Sequence, residues 1–481
     1  MTYLERPVTG STLLAVAVSA GMATIWVGDP LAGASVAVLW AIWWILPTAD
    51  GPPILGLAMS YHLCQAVIGI FYYGVTGRQS LTIAMSDYRP MVWIYLGCVM
   101  AMSLGIRVGH ELVKRRRSEM ADEAALSWQN LITFYVIALV LRTAIQEFAW
   151  ANMTFNQAVL AFGYLRLGLF YIILRRLIRH RQYTWACGLA AVEIVLGLTG
   201  YFAEFREPLL ITLLVLIEYF DRRRAAHWAI ASGIAVASLF LGLMWMGIRG
   251  DIRERSDNQE IGATTSQRLE VVRALGSQWY SRSASDTMEQ LDSLVNRLWD
   301  VYYPAVAVSR VPSVLPHENG AIMWRAIQHV VAPRILYPDK PELENDSLAV
   351  RKYTGINVAG PEQNTSIAFG YAVESYIDFG IPLMFLPIFL FGILMGVGFR
   401  LLSALIVHRE LAVAAVTVVF WLSVSPFNRG WARLLGIWGT LVIYVGGTAL
   451  LVDKYLKMGG WGPAVPDSSD DDSEPVALPT R

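Results

Sequence analysis

The 481-residue chain is 55 % hydrophobic, 12 % aromatic and only 16 % charged, with a mean hydropathy of +0.45, whereas a soluble domain carries about 25 % charged and about 45 to 50 % apolar residues. Both departures point to lipid as the solvent in which it folds. Lys and Arg number 38, as do Asp and Glu, for a net charge of zero, and this balance excludes a uniformly basic nucleic-acid binder.

A helix needs about 20 apolar residues to cross a bilayer. Scanned on that criterion, the sequence predicts an all-α polytopic membrane protein with twelve spans, near 9–28, 31–47, 53–73, 90–106, 128–148, 157–174, 184–203, 208–220, 227–248, 380–400, 411–427 and 434–452. The first run follows Glu5 and Arg6 and is succeeded at once by a second, so it reads as a retained span, with a cleaved signal peptide as the alternative. Cys64, Cys98 and Cys187 fall inside apolar runs without C-x-x-C spacing, as packing residues rather than disulfide or zinc partners.

Basic clusters set the orientation, because Lys and Arg near span ends resist translocation. Lys114 to Arg117 follow the fourth run, Arg175, Arg176, Arg179 and Arg181 the sixth, and Arg222 to Arg224 the eighth. Each follows an even-numbered span, so both termini are expected in the cytoplasm. The chain then divides into 1–248 with spans 1–9, an exported loop at 249–379, 380–458 with spans 10–12, and an acidic, disordered tail at 459–481. The loop has helical patterns at Met288–Tyr302 and Ala321–Val331 and is broken by Pro333, Pro338, Pro341 and Gly360-Pro361. Such a loop is either functional or a lid that only shields the bundle. Asp470 to Asp472 lack the glycine turn and terminal glutamate of a calcium loop, and no metal site is expected.

Ionisable side chains inside a span need a partner, a water-filled cavity or a function. Arg142 and Glu147 lie toward the outer end of the fifth span, Arg166 in the sixth and Glu193 in the seventh; internal pairing and function are both open for them. Arginines also gather at the expected outer face: Arg206 beside Glu204 and Glu207, then Arg249, Arg253 and Arg255 after the ninth span, Arg334 with Lys340, and Arg429 with Arg433. The guanidinium fork binds phosphate oxygens bidentately and stays charged at working pH, which suits a lipid-linked pyrophosphate. Glu374 and Asp378 are four residues apart, with Tyr371 three before Glu374, so a helix entering the tenth span would carry all three on one face. Glu374 could be a general base for a sugar hydroxyl, its pKa raised by Asp378, or it could neutralise the arginines. Tyr371 and Tyr376 could stack on a sugar ring.

Twelve spans, the large outer loop, the string Pro333-Arg-x-x-x-Pro-x-Lys-Pro, Asn364-Thr-Ser and Gly370-x-x-x-Glu-x-Tyr-x-x-Phe-Gly380 together resemble the Wzy-like oligosaccharide repeat-unit polymerases. The resemblance implies a GT-C-type polytopic glycosyltransferase of the bacterial inner membrane. It would join undecaprenyl-diphosphate-linked repeats into O-antigen, capsule or exopolysaccharide without a cofactor, beside a flippase and a chain-length regulator. By the same likeness Arg334, Lys340 and Glu374 correspond to the family's arginine, lysine and acidic segments. Its Arg-x10-Gly pattern occurs only as Arg222 to Gly233, on the expected cytoplasmic side. Arg206, Arg249 and Arg334 are the expected diphosphate contacts. O-antigen ligases share the topology and the donor; His317 and His329 keep that alternative open. A flippase or secondary transporter is the non-enzymatic one, although no repeated halves are visible.

Overall fold

The computed structural model describes residues 9–46, 53–113, 126–151, 156–198, 206–221, 223–257, 284–332, 337, 343–363, 365–422 and 427–457. These are helical almost throughout, with no strand among the described residues. In chain order the helices are α1 (Gly10–Val27), α2 (Pro30–Ile45), α3 (Ile54–Thr76), α4 (Leu81–Met85), α5 (Arg89–Leu112), α6 (Trp128–Ala151), α7 (Asn156–Arg179), α8 (Tyr183–Leu198), α9 (Arg206–Glu218) and α10 (Ala225–Asp257). After α10 come α11 (Ala284–Leu298), α12 (Tyr302–Arg310), α13 (Ala321–Val331), α14 (Asp346–Thr354) and α15 (Tyr371–Phe379). The last group is α16 (Phe385–Leu405), α17 (Arg409–Val416, continued by a π-turn to Leu422), α18 (Trp431–Leu441) and α19 (Gly447–Lys457), with a second π-turn at Val442–Gly446 joining the last two.

Among the described residues, six helical segments are long and apolar enough to cross a membrane: Gly10–Val27, Ile54–Thr76, Arg89–Leu112, His227–Met244, Phe385–Leu405 and Trp431–Lys457. Local chemistry explains where they begin and end. Between α1 and α2, Gly28 takes φ 75 to close the first helix, and Asp29 accepts from the Leu31 N–H at 2.9 Å to open the second, with Pro30 as its first residue. The tenth predicted span starts five residues late. Gly380 at φ 63 and Pro382 break the helix after Phe379, so α15 stands apart from α16 instead of running into it.

The closest helix pairing joins α5 to α16, far apart in sequence. A Cβ on Gly105 would overlap the Phe389 carbonyl, one on Gly109 the Ile393 carbonyl and one on Gly396 the Ile106 carbonyl, while on Gly392 it would stand 2.5 Å from the Met102 oxygen. Each helix thus presents a Gly-x-x-x-Gly stretch, and the backbones touch where side chains would hold them apart. Gly396→Leu should therefore remove folded protein altogether, read as loss of the monodisperse peak in detergent, because several carbons would have to enter space already held by backbone.

The segment after α10 is rooted in this bundle. Trp299 is 1 % exposed, its ring lies against Gly69 of α3, and its Nε1–H donates to the Ala66 carbonyl at 3.0 Å. The Tyr95 hydroxyl of α5 donates to the Asp300 carbonyl at 3.0 Å. Farther on, Tyr371 is fully buried in an aromatic group with His62, Phe427 and Trp431. A buried aromatic carries a large apolar area, so these rings fix the loop helices to the bundle.

Candidate functional site

The turn at 427–431, between the π-turn after α17 and the start of α18, organises two groups of charged residues. The Phe427 N–H donates to Gln65 Oε1 at 3.1 Å, and the Arg429 carbonyl accepts from the Tyr371 N–H at 2.7 Å. Gly430 lies so close to Glu374 that a Cβ there would overlap its carboxylate. Glu374 Oε2 accepts from the Trp431 N–H at 2.6 Å, and the Trp431 indole donates to Ser375 Oγ at 2.9 Å.

Glu374 therefore meets the first N–H of α18, one of the donors a helix leaves unpaired and the positive end of its dipole. That contact lowers its pKa, yet burial outweighs it and pushes the carboxyl up to about 7, with smaller upward contributions from Asp346 and Asp378 and a downward one from Arg433. Asp378, expected to raise it, does so, but less than Asp346. Glu374 faces a cleft of about 680 Å³, whose charged lining includes Arg325, Asp346, Lys352 and Arg433. That volume falls in the usual range for small-molecule sites, about 300 to 1,000 Å³. Arg433 Nη1 lies 3.2 Å from Asp346 Oδ2, and Ser366 Oγ joins both, accepting from Arg433 at 3.2 Å and donating to Asp346 at 3.1 Å.

The second group lies around Arg429. The charge of Arg206, at the start of α9, acts on Arg429, on Arg297 in the last turn of α11, and on Tyr61 and Tyr164. Burial lowers the pKa of both Arg297 and Arg429, and Arg206 lowers each further; a guanidinium nevertheless stays ionised. Nearby, burial pushes Asp300 up to about 7 against the pull of its bond from Asn428 and of Arg297. Glu207 is the other carboxylate in range, and its Oε1 accepts from the Tyr164 hydroxyl at 3.0 Å. Three cations drawn from three elements, with Asp300 in range of Arg297 and Glu207 in range of Arg429, gather enough positive charge to suit an anion.

Arg206 and Arg429, both expected at the outer face, are brought together here. Arg297 was missed by the sequence reading; its signal was a lone cation two residues before Trp299, on a helix read only as amphipathic. The remaining expected residues fall into three sets. Asp378 is buried and accepts from the Ile322 and Met323 N–H groups at 3.0 and 2.8 Å, capping α13 from outside. Tyr371 Oη is 3.1 Å from His62 Nδ1 in the core, the Tyr376 hydroxyl donates to the Val311 carbonyl at 3.0 Å, and His317 packs on the Tyr376 ring with Nδ1 3.2 Å from the Ile377 oxygen. Arg166 is paired with Glu193 in the bundle, and the Tyr135 hydroxyl donates to the same carboxylate at 2.6 Å. Arg334 and Lys340 lie outside the described residues, although Ala332 and Leu343, on either side of their segment, both line the cleft. Arg142 on α6, and Arg249 and Arg253 on the last turns of α10, have described backbone only. Asp378→Ala should cost about 1 to 2 kcal/mol, the value of a helix cap, read as a lower thermal midpoint in detergent.

A family model described as a domain of unknown function, DUF8712, matches residues 75–400. The chain belongs to the DUF8712 family. No curated protein and no solved structure matches it. The DUF8712 match takes in Arg206, Arg297, Asp346 and Glu374 and ends before Arg429 and Arg433. Among the described residues of this DUF8712 chain, no group of three or more His, Cys, Asp or Glu is placed to hold a metal.

Proposed function

We propose that this DUF8712 protein is an inverting polysaccharide polymerase, moving a growing glycan from its undecaprenyl diphosphate onto the next lipid-linked repeat unit at the periplasmic face of a bacterial inner membrane. The observation that carries the reading is the turn at 427–431, which sets Arg429 within range of Arg206 and, two residues on, gives the Trp431 N–H to the Glu374 carboxylate. With twelve spans and the amino terminus inside, the basic clusters at 114–117, 175–181 and 222–224 are cytoplasmic and the loop from 249 to 379 is periplasmic. The acidic tail then lies in the cytoplasm.

In this scheme Glu374 takes the proton of the acceptor hydroxyl as its oxygen attacks the anomeric carbon. The bond from that carbon to the diphosphate oxygen breaks, and the diphosphate leaves with the electron pair. The three arginines meet the negative charge that grows on it. The donor is already activated, so no nucleotide-sugar site is required, and the arginines supply the positive charge that a divalent cation would otherwise provide. Purified protein should keep its activity in EDTA.

The ligase reading is favoured by one feature, the presence of His329 on the cleft wall with Glu374. The transporter reading draws no support from Arg166, whose charge is met by Glu193. Lipid-linked glycans in a deletion strain separate the three. A single repeat on undecaprenyl diphosphate is expected for a polymerase; full-length chains on that lipid would mean a ligase. Transport of lipid-linked sugar into vesicles by pure protein, with no lengthening of the glycan, would mean a transporter.

A further inference from the structure

Helix α13 has two unlike faces. One, with Ile322, Arg325, Ala326 and His329, lines the cleft. On the other, Trp324 is 60 %, Ile327 38 % and Val331 73 % exposed. Spaced three and four apart, these three form one stripe, which is costly to leave in water and needs an occupant.

The surroundings of α13 identify it. Its N-terminal turn is tied by Asp378 to the chain just before α16, where Ile381 and Leu383 are 62 % and 61 % exposed. Its other end runs along α18: a Cβ on Gly436 would stand 3.8 Å from Val330 Cγ2, ordinary packing distance. Gly436 is the sixth residue of the candidate span Trp431–Lys457, about 8 Å along it at the helical rise. One end of α13 is thus held at the entry of one candidate span, and the other end lies beside the first turns of a second.

We infer that α13 is an interfacial helix, lying in the headgroup region of the bilayer with Trp324, Ile327 and Val331 turned into lipid. An amphipathic helix in this position buries its apolar face roughly 5 to 10 Å into the headgroup and acyl boundary, and tryptophan is favoured at that level. The cleft is then walled on one side by a helix floating in the membrane surface, so a lipid-linked molecule reaches Glu374 from the bilayer plane. The inference needs α16 and α18 to be membrane spans but does not need glycosyl transfer.

The test uses the full chain, with Cys64, Cys98 and Cys187 replaced by alanine, in phosphatidylethanolamine and phosphatidylglycerol vesicles. A single cysteine placed at Trp324, Ile327, Val331 or Arg325 carries a fluorophore, read with a nitroxide on the upper acyl chain and with aqueous iodide. The three stripe positions should lose fluorescence to the lipid nitroxide and resist iodide, and the Arg325 position should do the reverse. Quenching of the stripe by iodide but not by the nitroxide would overturn the inference. So would protection from both quenchers, which would mean that protein, a second copy or another partner, covers the stripe. Three independent stripe positions keep the test valid if one variant misfolds, and a parent protein that lengthens no glycan, with the stripe still in lipid, would count against the polymerase reading alone.

Discussion

Glu374→Gln should slow glycan lengthening by about 10²- to 10⁴-fold, the range for a positioned general base, while the protein stays folded and still binds its lipid-linked substrate. The amide oxygen can still accept from the Trp431 N–H, so the start of α18 keeps its partner. Loss of substrate binding together with activity would instead make the carboxylate structural. The wild-type rate should also carry a pH limb. A general base acts deprotonated, so under the proposed scheme turnover should rise as pH passes about 7, and the Gln variant should lack that limb. Stability should move the other way. The folded carboxyl holds its proton up to about 7, against 4.5 ordinarily. Its stabilising contribution is therefore complete below 4.5 and is lost as pH rises through 7. A thermal midpoint that falls over that window in the wild type, and falls less in Glu374→Gln, is the expected signature.

The second large effect concerns the arginines. Arg206→Lys, Arg297→Lys and Arg429→Lys each keep the positive charge and remove the planar fork. Each should lower turnover by about 10²-fold, equivalent to ~3 kcal/mol, the cost of losing one preorganised donor to developing charge. The measurement is chain length and rate with a purified lipid-linked repeat. Normal chains from all three variants would move the diphosphate site elsewhere, toward Arg249 or Arg334.

How much of this could be read in advance depended on the range of the interaction. Helical segments were legible from apolar runs, because a lipid-facing helix needs only local composition. The pattern at Ala321–Val331 gave α13 from its periodicity alone. Glu374 was legible as an acidic residue at the re-entry point, but its partners were not. The Trp431 N–H is 57 residues away in the chain, and nothing local to Gly370–Gly380 encodes it. Asp378 looked like a second member of the same site. The two N–H groups it caps lie 55 and 56 residues earlier, so its structural role was invisible without the fold. Tyr371 misled for a related reason: an aromatic beside a loop carboxylate resembles a sugar platform, whereas tertiary packing seats it in the core with His62 and Trp431.

The glycine contact between α5 and α16 also bears on how the chain is made. The ribosome adds residues 113 to 384 after α5 is complete and before α16 begins. At about 5 to 20 residues per second that interval is roughly tens of seconds. Throughout it, Gly105 and Gly109 lie on a completed helix whose native neighbour has not been synthesised. A small-residue surface of this kind pairs readily with other helices, so the nascent chain carries an open docking groove through most of its biogenesis. Arrest of translation anywhere before Phe385 would leave that groove for an insertase, a quality-control protease or a foreign helix to occupy.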